Sequence, residues 1–302
     1  MTALFAIFIK TVLPIFIIIA FAYIYNKIKN IDFKYITDVT LTIFAPIFVF
    51  HSLMSHKIET HTLYKPFIFM IILISMLILI ASITFKIHNF DDKYKIPFIL
   101  SVSMINVGNF GLPLISFAYG EKGVLYSIIY FVVFNIPLST LAIMLSSNEK
   151  NLLLAIKDVI KIPLIHAFIL AIIFSELKIT LPDFIEKPFS LMSNATIPLL
   201  IFILGLQLSK ISISSKLLKP ALLSVSLRLI ASPIIAILIA KILNINGVEK
   251  QVAIVQTSAP SALLPLMYAI KFNKSPEFLS TTILLSTILS GITLPVLISC
   301  LT

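Results

Sequence analysis

Tryptophan is absent from this 302-residue sequence, cysteine occurs once, glycine seven times, and only 12% of residues are charged. Each scarcity excludes something. The single cysteine, Cys300, cannot form an intrachain disulfide, which removes the secreted disulfide scaffolds. Without tryptophan, interfacial belts have to be built from the 9 tyrosines and 24 phenylalanines. Soluble domains carry about 25% charged residues, roughly twice the share here. Against that shortage, 59% of residues are hydrophobic and the mean hydropathy is +1.09. Surface grows too fast relative to volume for a water-soluble fold to hide so much apolar area. Cytosolic enzymes and disordered chains are excluded as well, and an all-α polytopic membrane protein remains.

Acidic residues are missing where a pump would need them. All 13 acids fall between apolar runs or at their edges. None lies at mid-membrane, where proton pumps and many ion-coupled carriers hold one. The sequence has no Walker A motif, no HExxH and no paired carboxylates within an apolar run. Neither an enzyme nor a cofactor is expected. The net charge of +10 would point to nucleic acid in a soluble protein. In this composition it fits lysine-rich cytoplasmic loops and anionic headgroups, so the expected partner is the bilayer, with no nucleic acid.

Apolar runs cover 2–25, 36–54, 66–85, 97–119, 124–146, 162–177, 189–208, 218–240, 251–270 and 278–300. They predict ten transmembrane spans of about 20 residues each. The first run has no basic stretch before it, carries Lys10 within it, and lacks a cleavage site. It reads as a retained span with Lys10 snorkelling, not as a signal peptide. The loops on one side hold 14 lysines and those on the other hold 7. The richer side, which follows the first span, is expected to be cytoplasmic, with both termini outside. The segment 148–161 pairs Leu152, Leu153, Ile156 and Ile160 against Lys157, the pattern of a short helix lying on the membrane. It separates 1–147 from 162–302.

These two parts resemble one another. Pro46 in TIFAPIFVF matches Pro198 in NATIPLLIF, and Pro113 in FGLPLIS matches Pro265 in ALLPLMY, each 152 residues apart. Lys65-Pro66 matches Lys219-Pro220, and Lys10…Pro14 matches Lys161…Pro163. Each unit has five spans, an odd number, so the second copy must enter the membrane inverted. A 5+5 inverted repeat is the usual architecture of secondary transporters.

The fourth span, IPFILSVSMINVGNFGLPLISFAYG, gathers Asn106, Gly108, Asn109, Gly111 and Pro113 near its middle. Glycine costs a helix about 1 kcal/mol and proline about 3, and Pro113 denies a backbone bond to the carbonyl of Asn109. The helix is expected to open there. The ninth span, QVAIVQTSAPSALLPLMYAIKF, places Gln256, Thr257, Ser258, Pro260, Ser261 and Pro265 at the equivalent depth. Exposed backbone is tolerated inside a membrane only where it is buried in protein or lines a wet cavity. Matched interruptions in both halves are the sequence pointer to a transporter's binding site. In an inverted pair the two broken helices run oppositely, so their half-helix N-termini can converge. Each would carry about +0.5 charge and free N–H donors, a site for a carboxylate that needs no basic side chain. The plainer alternative is a kinked structural helix with small residues for close packing.

Arg228, the only arginine, lies about eight residues into the eighth span. A charge at that depth attracts an anionic substrate, braces the C-terminal carbonyls of the fourth or ninth span, or snorkels to headgroups. His51 and His166 read as packed residues and not as proton relays. Gln207 and Asn135 are candidates to support the site.

The segments NVGNFGLPLISFAYGEKGV, LRLIASP, AIVQTSAPSALLPLMYAIKF and STILSGITLPVLI resemble signature helices of the auxin efflux carrier family of membrane transporters. No long hydrophilic insert separates the fifth and sixth spans, as in the short prokaryotic branch. The resemblance implies a fold similar to that of bile-acid sodium symporters. In it, spans 1, 2, 6 and 7 form a scaffold, and spans 3–5 and 8–10 form a transport domain with the broken fourth and ninth helices crossing. It implies movement of organic anions, and it places Asn106, Pro113, Ser258, Pro260 and Ser261 at the crossover. The expected protein is a multi-pass carrier of small organic anions in the bacterial cytoplasmic membrane, for which a homodimer is a compatible assembly. A Na⁺-coupled symporter with Na⁺ near Asn106, Thr257 and Ser258 is the alternative, and a channel-like or sensor protein a further one.

Overall fold

The computed structural model describes residues 2–54, 64–147 and 159–301. The surface helix expected within 148–161 therefore lies mostly outside the described residues. What is described is helical, and the only β pairing among those residues is an isolated antiparallel bridge, Ile105 with Ser261.

Seven helical stretches are long and apolar enough to cross a membrane by length and composition: α1 (Leu4–Lys29), α2 (Lys34–Met54), α3 (Tyr64–Ile87), α5 (Val107–Ser146), α7 (Asp183–Leu208), α8 (Ser215–Ile242) and α11 (Pro276–Leu301). Four shorter helices complete the described chain: α4 (Lys95–Ser103), α6 (Pro163–Glu176), α9 (Gly247–Thr257) and α10 (Leu264–Lys271). The seven differ from the ten apolar runs for local reasons. The fourth run is split between α4 and the start of α5, and the ninth between α9 and α10. The α5 stretch continues through the fifth run, turning at Gly120, whose φ of 60° and ψ of −155° lie outside helical space. Glycine alone takes that conformation cheaply.

Proline sets the local shape of the long helices. Four π-turns occur: Phe8–Val12, Thr40–Phe44, Val107–Gly111 and Leu227–Ala231. Each ends two residues before a proline, namely Pro14, Pro46, Pro113 and Pro233. Proline has no N–H, and its ring clashes with the carbonyl one turn back. Widening that turn by one residue relieves the clash, and its bonds reach one residue further back, as Leu13 N–H does to Phe8 O. Asparagine ends helices where glycine is scarce. Asn30, Asn89, Asn244 and Asn273 follow α1, α3, α8 and α10 with φ of 50–53°, the left-handed stop that asparagine tolerates.

Two packing groups result. In one, α1 lies on α7, and α2 lies on α6 and α7. In the other, α3 packs on α4 and α8, α4 on α8 and α11, α5 on α9 and α10, and α8 on α9 and α11. The groups meet where α1 touches α11 and α5 and where α7 touches α5, with smaller contacts of α2 and α6 on α5. The α1–α7 contact depends on Gly205, at which a Cβ would stand 2.5 Å from Ile19 O and 2.6 Å from the Ala22 Cβ. At the same pair's end, buried Asn26 donates from Nδ2 to Ser209 Oγ at 2.6 Å and accepts Ile31 N–H at 2.9 Å. At the opposite end of the group, His51 Nε2 and Glu186 Oε1 stand 2.8 Å apart across α2 and α7.

A side chain at position 205 has to push two backbones apart. Gly205→Val is expected to lower stability by about 1–3 kcal/mol, the usual cost of overpacking, seen as a reduced thermal midpoint in detergent. An unchanged midpoint would contradict so close an approach.

Candidate functional site

The interrupted segments are extended and paired to each other. Asn106 N–H donates to Pro260 O at 2.8 Å, and Ala262 N–H donates to Met104 O at 2.9 Å. The bridged residues, Ile105 and Ser261, lie between those two bonds. The opening of the fourth run is therefore at 104–106, at the leading edge of the Asn106–Pro113 stretch where the sequence alone places it. Pro113 instead sits in the first turn of the α-helical part of α5, and Pro265 in the first turn of α10. For Pro265 that position is well tolerated because the N–H it lacks would have had no partner, whereas Pro113 follows the π-turn that accommodates it. What holds the chain open is the pairing itself, which gives the freed backbone groups partners outside either helix.

Side chains bind the two interruptions into one unit. Ser261 donates from Oγ to Ser101 O at 2.6 Å, and its N–H reaches Ser286 Oγ at 3.2 Å. Gln256 donates from Nε2 to Val107 O and to Ser127 O, both at 3.1 Å. Ser258 donates to Ile254 O at 2.6 Å, and Thr257 returns its hydroxyl to Ala253 O. Gly108 and Gly111 admit this packing. A Cβ on Gly108 would stand 2.6 Å from the Phe131 ring, and one on Gly111 would stand 2.9 Å from Gln256 Cγ.

Arg228 occupies the centre of this unit and is fully buried. Its Nη1 donates to Val102 O at 2.8 Å, and its Nη2 donates to Thr257 O and to Ser232 Oγ. Val102 and Thr257 belong to the last turns of α4 and α9. Each helix C-terminus carries about −0.5 charge, so two of them offset one guanidinium. Among the described residues no acid pairs with it. Of the roles open to Arg228 from sequence, these bonds fit the brace, and it acts on both interrupted spans at once. Snorkelling does not fit a side chain with no exposed surface.

Of the twelve site residues expected from sequence, eleven are buried and Asn109 is partly exposed. Asn106, Gly111, Gln256, Thr257, Pro260, Ser261 and Arg228 are joined directly through the bonds and close contacts above, and Asn109 and Pro265 flank them. Some polar atoms remain buried without a hydrogen-bond partner: Asn106 Nδ2, Gln256 Oε1, Ser127 Oγ and Arg228 Nε. Asn135 donates to Phe131 O within its own helix at 2.7 Å, and His166 meets Ile160 O at 2.6 Å. Both are therefore engaged locally. Sequence reading missed Ser101, Ser127, Ser232 and Ser286. Ser232 was within reach, since it stands four residues after Arg228 on the same helix face. Ser127 and Ser286 carry no pattern that separates them from other small polar residues.

A polytopic helical membrane protein with a buried polar junction between two interrupted helices is the class these features define. A family profile described as membrane transport protein matches residues 7–298. The chain therefore belongs to that family, the auxin efflux carrier family of membrane transporters. It is 27% identical over 278 residues to an uncharacterized transporter of Methanocaldococcus jannaschii, covering 89% of this chain and 90% of the relative. A second uncharacterized transporter, from Methanothermobacter thermautotrophicus, is 30% identical over 200 residues, 65% of each protein. Auxin efflux carrier component 8 of Arabidopsis thaliana is 29% identical over 140 residues, which is 45% of this chain and 38% of the carrier. This is a transport family and not an enzyme family.

Removing the guanidinium orphans two buried carbonyls, each at a cost of about 1–3 kcal/mol. Arg228→Met is expected to lower the thermal midpoint, and Arg228→Lys, which keeps charge but not the fork, to lower it less. Equal midpoints for all three proteins would remove the brace.

Proposed function

We propose that this protein is a secondary carrier of small organic anions in the cytoplasmic membrane, working by alternating access around the paired interruptions. In this reading ten spans form a 5+5 inverted repeat with both termini outside, and the fourth and ninth spans cross at Ile105 and Ser261. The group of α1, α2, α6 and α7 serves as scaffold, and the group of α3–α5 and α8–α11 carries the site past it. The split into two packing groups supports that division. The lysine bias supports the orientation.

The observation that carries the anion reading is the amide of Asn106. Its Nδ2 is a buried donor without a partner, in a residue only 7% exposed, at the start of α5. A first helical turn adds backbone N–H groups with no intrahelical acceptor. Donors without an acid nearby favour a carboxylate over a cation. The plant relatives named auxin efflux carriers fit this chemistry, since auxin is a carboxylic acid. Substrate binding draws on Asn106, Gly108, Asn109 and Gly111 from one interruption and on Gln256, Ser258 and Ser261 from the other. Arg228, Pro113, Pro260 and Pro265 hold the shape.

In proteoliposomes loaded with mono- and dicarboxylates, Asn106→Ala is expected to lose most carboxylate exchange while keeping the wild-type thermal midpoint. Wild-type rates in a well-folded Asn106→Ala protein would remove the site. A second reading, Na⁺-coupled symport, is favoured by the buried acceptor Gln256 Oε1, which has no partner. It predicts that uptake stops when Na⁺ is replaced by K⁺, and uptake indifferent to the exchange excludes it.

A further inference from the structure

The acids of this protein lie off the mid-membrane, yet one of them is placed differently from the rest. Glu249 sits in the first turn of α9, partly buried, where α9 packs against α5 and α8. Its carboxylate has neither an ion pair nor a side-chain hydrogen bond among the described residues. Within electrostatic reach on α5 is Tyr130, a fully buried residue whose hydroxyl also has no partner. The Tyr130 ring is fixed edge-on against Phe69 of α3, 5.6 Å between centroids. Lys65, one turn before Phe69, is directed elsewhere, donating from Nζ to Asn244 O at 3.3 Å. Its charge still acts on Glu249. Lys241 of α8 and Lys250 of α9 are at the same end and form no ion pair with Glu249. A half-buried carboxyl without an ion pair and a buried phenol without a partner therefore lie on the packed pair α9 and α5.

From this juxtaposition we infer that Glu249 is a proton-exchanging site of the carrier, taking up H⁺ as –COO⁻ becomes –COOH in one end state and releasing it to water in another. The inference rests on the anion-carrier reading, and it supplies the coupling ion that reading lacks. The reason is mechanical. Glu249 and Thr257 are the two ends of one short helix, about 12 Å apart at 1.5 Å per residue. Thr257 O is tied to Arg228, and Gln256 to Val107 O and Ser127 O. Charging or neutralising Glu249 changes how deeply α9 can sit against α5, and α9 carries half of the site with it. An ionised carboxylate resists burial, whereas the acid form does not.

Burial holds the Glu249 carboxyl above the ordinary carboxylate range, with the Lys65 charge opposing. The folded state therefore binds this proton more tightly than the unfolded chain. Glu249 then favours the folded state fully at low pH, and that contribution is lost as pH rises through the raised folded-state value.

Two readouts test the site without any substrate. Infrared titration of the purified protein between about pH 5 and about pH 8 is expected to show a protonated-carboxyl C=O band that Glu249→Gln removes and Glu249→Asp retains. Over the same range the wild-type thermal midpoint is expected to fall with rising pH more steeply than that of Glu249→Gln. An unchanged band together with an unchanged slope in Glu249→Gln overturns the inference. In proteoliposomes carrying labelled malate, a pH gradient is expected to stimulate uptake by the wild type and not by Glu249→Gln. Full stimulation of Glu249→Gln also overturns it. A wild type that moves no carboxylate under any gradient strikes the carrier reading instead, and the substrate-free readouts still decide the proton site.

Discussion

One guanidinium holds the two interrupted spans together. A buried charge in a membrane protein is costly unless its field is met locally, and Arg228 meets it with the carbonyl ends of α4 and α9, not with a carboxylate. This arrangement has a structural consequence. Helix C-termini are mutually repulsive, so two of them would not rest at one point without a cation between them. The cation in turn would not rest there without both. The paired segments 104–106 and 260–262 follow soon after these two helices end, and their mutual bonds continue what the arginine starts.

Around that point the protein uses small residues and backbone groups more than long polar side chains. Serines 101, 224, 232, 261 and 286 are all buried, and each bonds at short range to a carbonyl, another serine or a backbone N–H. In a medium without water every freed backbone group needs such a partner. The exceptions stand out for that reason. Asn106 Nδ2 and Gln256 Oε1 are buried, polar and unbonded. They belong to the residues proposed to bind the substrate.

The proposed carrier cycle needs a boundary between two parts of the molecule, and the packing offers one. Within each group helices approach closely, as at Gly205 against Ile19. Between groups the contacts run along α1 on α11 and α5 and along α7 on α5, with smaller contacts of α2 and α6 on α5. Helix α9 spans from Glu249 in its first turn to the carbonyl held by Arg228. It is therefore placed to connect the proposed proton site with the paired interruptions.

Composition and periodicity alone determined the class. Apolar runs of membrane length, lysine bias between them and proline-marked internal similarity are all local or additive properties, and a linear chain displays them fully. The same applies to the residue types at the interruptions, since Asn106, Gly111, Pro113, Pro260 and Pro265 are visible as breaks in otherwise helical segments. The edge of the opening was less legible. The residue types mark 106–113, and the chain opens at 104–106, because the partner that stabilises an extended strand lies some 150 residues away, at Pro260 and Ala262. The sequence left three roles open for Arg228, and only the arrival of two helix ends at one place selected among them. Ser127, Tyr130 and Glu249 were equally silent in the sequence. Their burial and lack of partners arise from which helices pack together, and side-chain pattern within one helix carries no record of that.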